Sequence, residues 1–76
     1  MIHWSYESPG AFKSGQAVGS ASHGQYWRGW EGDPSGATWF AIYKPTGGAP
    51  VVLIEGVKAS PMYQRCTEHD QEQLRP

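Results

Sequence analysis

The chain predicts an α+β fold: a small antiparallel sheet, built as a three-stranded meander plus an N-terminal edge strand, with one C-terminal helix on one face. Three observations predict it. "QYWRGWE" and "ATWFAIYK" flank a turn, "GDPSG". The aliphatic residues are concentrated in one run just beyond, "VVLIEGV". The tail "ASPMYQRCTEHDQEQLR" is rich in helix formers and opens on Ser-Pro.

Taken in order, "IHWSYE" alternates apolar Ile2, Trp4 and Tyr6 with polar His3, Ser5 and Glu7. That is the period of a half-buried strand, expected over 2–7 at a sheet edge. "SPG" ends it. Residues 11–24 carry Gly15, Gly19 and Gly24 among serines, which argues against a helix and for a loop or an ill-specified edge strand, tacked to the core by Phe12 and Val18. Asp33, Pro34, Ser35 and Gly36 then match the four positions of a type I turn. The aromatic and β-branched flanks become strands 25–31 and 37–44 of a hairpin. "PTGGAP" closes the second strand, and 51–57 is the third, with Pro50 tolerated at its start. Ser60 fits an N-cap and Pro61 the first helical position, so the helix is expected over about 61–73. Its apolar side is thin: Met62, Tyr63, Cys66 and Leu74.

The turn fixes a register. Trp30 should face Trp39, Arg28 Ala41, and Tyr26 Tyr43, all on one face of the sheet. Trp27 with Ile42, Gly29 with Phe40 and Glu31 with Thr38 share the other. The second set reads as core-facing. The first is amphipathic, and Tyr, Trp and Arg are the residues that anchor interfaces. Tyr26, Arg28, Trp30, Trp39 and Tyr43 are therefore the expected partner-binding residues, with the core as the competing reading of the same cluster. One helix cannot cover both faces, so the remaining cover should come from 11–24, a second copy of the chain as a homodimer, or another protein.

Composition narrows the function classes. The chain has 76 residues and reads as a single domain, 1–76. Its charge is −1, with Lys13, Arg28, Lys44, Lys58, Arg65 and Arg75 dispersed, which disfavours nucleic acid and membrane surfaces. Glu68, Asp70 and Glu72 read as a solvated helix face. There is a single cysteine, Cys66, and "MIHWSYESPG" has neither a basic nor an apolar leader region. Met1 and the polar end "EQLRP" read as the ends of a complete small gene product, and the default is a soluble, cytoplasmic protein.

Catalytic and metal chemistry find little support. Cys66 and His69 stand three apart but lack two further ligands at useful spacing, since His3 and His23 are remote. As a nucleophile pair they lack an orienting third group. The plain reading is a packed cysteine and a solvated histidine. Glu31 with Asp33 flanks a turn, and Glu55 would need Arg28 or Lys44 beside it if buried. The glycines form no phosphate loop. No cofactor or metal is expected, and no catalytic residue.

The leading expectation is a non-enzymatic protein-binding module. In size and style the chain is similar to small proteins of phages and other mobile elements, which act by binding and blocking a host protein, inhibitors of bacterial defence systems among them. That similarity implies a stoichiometric inhibitor or adaptor. The alternatives are a single-stranded nucleic-acid binder that stacks bases on the aromatic face and a sugar-stacking module built from the same rings.

Overall fold

The computed structural model of the protein describes residues 1–5, 17–33 and 35–75. Five strands precede one helix: β1 (His3–Ser5), β2 (Ala17–Ala21), β3 (Gly24–Glu31), β4 (Thr38–Pro45), β5 (Val51–Val57) and α1 (Ala59–Leu74). The strands form one antiparallel sheet in the order β1-β2-β3-β4-β5. The α+β class expected from the sequence is the one observed, with five strands in the sheet. The additional strand is β2, drawn from the Gly/Ser-rich segment. Its sequence AVGSA offers little intrinsic strand preference, and its place between β1 and β3 is set by pairing on both sides. Tyr6, Glu7 and Phe12 lie outside the described residues, as does Pro34.

The β3–β4 hairpin has the register that the turn dictates. Tyr26 pairs with Tyr43, Trp27 with Ile42, Arg28 with Ala41, Gly29 with Phe40, Trp30 with Trp39 and Glu31 with Thr38. Gly36 N–H donates to the Asp33 carbonyl at 2.9 Å, the bond that closes a four-residue turn. Between β4 and β5 the register slips twice, between Trp39 and Ala41 and again between Ala41 and Ile42. Gly56 sits at one slip with φ +70, a conformation that costs other residues about 1 kcal/mol or more.

The helix begins two residues earlier than its sequence signals suggest. Lys58 is its N-cap, without a side-chain hydrogen bond, and Ser60 and Pro61 lie inside the first turn. Proline is tolerated there because those N–H groups have no intrahelical acceptor. Met62, Cys66 and Asp70 form its buried stripe, spaced four apart along one face. Leu74 is 54% exposed and takes no part in the core.

The core lies between this stripe and one face of the sheet, where Tyr26, Ala41, Tyr43, Met62 and Cys66 form a buried cluster. Ile2, Trp4, Trp39, Leu53, Ile54, Val57 and Tyr63 pack around it. Small residues let the layers approach: Ala41 and Ala17 are fully covered, and a Cβ on Gly19 would lie 2.5 Å from Ile2 and 3.0 Å from the Trp4 ring. Trp4 meets Tyr63 edge-on at 5.9 Å.

The inward and outward faces are thus the reverse of the sequence expectation. The face of Tyr26, Arg28, Trp30, Trp39 and Tyr43 is the one the helix covers. Trp27, Phe40 and Ile42 are on the opposite face and only half-buried. The physical reason is hydrogen bonding. Tyrosine and arginine can be buried where partners and rings await their polar ends, and the helix and the β2–β3 turn provide them.

Candidate functional site

Two regions concentrate chemistry-bearing or partner-capable residues: a polar network under the helix and the face of the sheet opposite the helix, the open face, on which no described element packs. The network starts from His23, in the turn between β2 and β3. Its Nε2 lies 2.7 Å from Asp70 Oδ1, and its Nδ1 2.9 Å from the Tyr43 hydroxyl. The other Asp70 oxygen is 3.0 Å from the amino group of Met1. Tyr43 also reaches the His23 carbonyl at 3.1 Å, and Thr46 N–H donates to that same carbonyl. Beside it, the Tyr26 hydroxyl is 2.7 Å from His69 Nδ1.

Proton positions follow from the partners. The ionised Asp70 can only accept, so His23 Nε2 carries a hydrogen. With neutral His23, Tyr43 donates to Nδ1. The Tyr43 hydroxyl thus has two acceptors within reach, His23 Nδ1 and the His23 carbonyl.

The ionisation shifts agree with this packing. Burial pushes the Asp70 carboxyl up, but the hydrogen bonds from His23 and the Met1 amino group outweigh it and hold it below the usual carboxylate range. Burial, reinforced by the nearby Asp70 charge, raises both Tyr26 and Tyr43. Tyr26 therefore stays a phenol and donates to His69. Burial lowers His69, with Arg65 adding to the effect. Burial also pushes the Cys66 thiol up to about 11, the reverse of what a reactive cysteine needs.

Two sequence readings change here. Asp70 is 5% exposed, so it does not belong to a solvated acidic face. His69 is half-buried against Tyr26 and Tyr43, its ring 4.4 Å from that of Tyr43. Cys66 faces Met62, Sγ to Sδ 4.0 Å, so Cys66 and His69 point to different partners. Among the described residues, no group of three or more His, Cys, Asp or Glu side chains could hold a metal ion.

The five residues expected to bind a partner are brought together, but beneath the helix. Tyr26 is fully buried, and Tyr43 and Arg28 are 5% and 4% exposed. The Arg28 guanidinium lies 5.4 Å from the Trp39 ring and 5.6 Å from the Tyr63 ring, an arrangement that holds a buried cation by its π faces. Trp30 and Trp39 remain half-buried.

The other face carries a row of apolar residues across four strands. Val18 pairs with Trp27, Trp27 with Ile42, and Ile42 with Val52. Phe40, two residues from Ile42, shares that face, as do Gln25 and Lys44. Val18, Trp27, Phe40 and Ile42 are half-buried, while Val52 is 58% and its neighbour Val51 51% exposed. None of these last two was singled out from sequence, although "APVVLI" carries no charge. Among the described residues, no helix is long and apolar enough to cross a membrane. Comparison with protein-family models, curated proteins and solved structures finds no match to the chain.

Proposed function

We propose that the protein is a non-enzymatic protein-binding module, a cytoplasmic inhibitor or adaptor that acts by stoichiometric contact through the open face of its sheet. The observation that carries this reading is the apolar row ending in exposed Val52, with Phe40 beside it and polar Gln25 and Lys44 at its margin. An apolar centre with a polar rim is the composition of protein interfaces. The surface differs from the one the sequence suggested, because the aromatic pairs of the opposite face are consumed by the core.

The use of the chemistry-bearing side chains supports a non-enzymatic role. Both ring nitrogens of His23 are engaged, His69 Nδ1 is held by Tyr26, and Cys66 is buried with a raised thiol. Base stacking is disfavoured, since the aromatic pairs Tyr26–Tyr43 and Trp30–Trp39 belong to the helix-covered face. Ile42→Glu tests the reading. Wild-type protein used as bait should retain a discrete partner at fixed stoichiometry, and the variant should lose it while keeping its circular dichroism. Equal retention by both removes the open face from consideration.

A further inference from the structure

We propose that β5 pairs with the β5 of a second copy of this chain, antiparallel about a two-fold axis midway between the two Val52 residues, joining two sheets into one. The inference concerns the edge of the sheet and stands independently of what binds its open face.

Among the described residues β5 pairs with β4 alone, so it is an edge. Sheet edges are blunted by charge, proline or bulges; β5 has Pro50 before it and two register slips within it, but its first four residues, VVLI, carry no charge, and Val51 and Val52 are exposed large hydrophobics. Two features confine the pairing to 51–54. Pro50 has no N–H to offer, and Gly56 bends the strand at its positive φ.

The register selects the occupant. Val52 stands in the row of Ile42, Ile54 in that of Ala41, and Val51 in that of Tyr43. Because the register slips before Val57 meets Trp39, Phe40 lies opposite Glu55–Gly56. Counted from Val52, the row of Glu55 is therefore two steps one way, and the row of Lys44, next beyond Tyr43, is two steps the other. A two-fold axis normal to the sheet, in the row of Val52 and midway between the two β5 strands, superimposes those rows. It sets Glu55 of each chain in line with the partner's Lys44, on the same face and two strand spacings away, about 10 Å between backbones. Extended glutamate and lysine side chains span that distance. Among the described residues neither has an ion pair, while the pairs Met1–Asp70, His23–Asp70 and Arg65–Glu72 are made internally. The same axis sets Val52 against its own copy and Val51 against the partner's Ile54. The apolar row Val18–Trp27–Ile42–Val52 then continues unbroken into the second chain. A partner patch that is its own complement is the signature of an isologous contact.

Sedimentation equilibrium of the full chain over a concentration series tests this. The expected mass at the upper end is twice the 8.4 kDa of one chain. Val52→Lys, which opposes two ammonium groups at the axis, should leave only single chains with unchanged near-UV circular dichroism. Glu55→Lys and Lys44→Glu should each weaken association roughly tenfold, and the two together should restore it. These two positions are exposed and half-exposed, so their result does not depend on whether Val52→Lys folds. Single chains throughout for the wild type, or a dimer that the double reversal fails to restore, overturns the proposal.

Discussion

The two faces of this sheet are built from similar residues and end up in opposite roles. One carries Tyr26, Arg28, Trp30, Trp39 and Tyr43, and the other Val18, Trp27, Phe40, Ile42 and Val52. By hydrophobicity alone the second is the better core. The helix nevertheless covers the first, because His69 and Tyr63 on α1 supply partners for the Tyr26 phenol and the Arg28 guanidinium, and Asp70 holds His23, which reaches Tyr43. Polar complementarity, added to apolar burial, decides which side of an ambivalent sheet is closed. The more apolar side, away from the helix, is only half-buried at Val18, Trp27, Phe40 and Ile42.

The strongest way to break this comparison is to empty the covered face. Tyr26→Ala removes a fully buried ring and leaves His69 without its donor. It should destabilise the protein by about 3–5 kcal/mol, enough to unfold much of the population of so small a domain. Urea denaturation read by tryptophan fluorescence measures it. A loss below about 1 kcal/mol would mean that the helix does not close this face.

Next comes the network. Asp70→Ala removes the carboxylate that holds His23 and the Met1 amino group, and should cost about 2–3 kcal/mol. The same groups set the pH dependence. Asp70 titrates below its ordinary 3.8 in the folded protein, and His69 below its ordinary 6.5. In both cases the unfolded chain binds the proton more readily, so stability is full above the unfolded value and falls as pH drops through the folded one. For His69 the decline begins near 6.5, and for Asp70 near 3.8. Cys66, Tyr26 and Tyr43 are raised from 9.0, 10.0 and 10.0. The unfolded chain then releases protons first, and stability falls as pH rises beyond about 9. Melting temperature against pH should be a plateau from about 7 to 8.5 with losses on both sides. In Asp70→Ala the acid-side loss below pH 4 should largely disappear.

Much of the fold was legible because it is local. The turn at Asp33–Gly36 determines every β3–β4 pair, since a two-residue period carries the register outward from it. The helix was legible in composition, although Lys58 gives its start no side-chain cap to read. The choice of face was not legible, as it depends on contacts between residues far apart in sequence. His23 and Asp70 are 47 residues apart and Tyr26 and His69 are 43, so no spacing announces either pair. Asp70 also hides within an acidic cluster, where only the four-residue stride Met62–Cys66–Asp70 marks it as inward. Ala41 was the available clue. A small residue on an otherwise aromatic strand marks where another layer approaches, and it lies on the Tyr26 face.

The smallest expected effect sharpens the comparison most. Phe40→Ser is a large aromatic deletion like Tyr26→Ala, on the same hairpin, but on the open face and opposite Gly29. A half-buried ring with a glycine as its cross-strand neighbour has fewer contacts to lose, and serine is readily solvated there. The expected cost is about 1 kcal/mol or less, read by the same urea titration. Partner retention should fall sharply, whereas the mass of the free protein should not change, because Phe40 lies a full strand inside the β5 edge. If stability fell as far as in Tyr26→Ala, both faces would be core and the open one would be closed by something the folded chain already carries. A stable variant that retained the partner would instead move recognition off this face, toward the rim formed by Trp30 and Trp39.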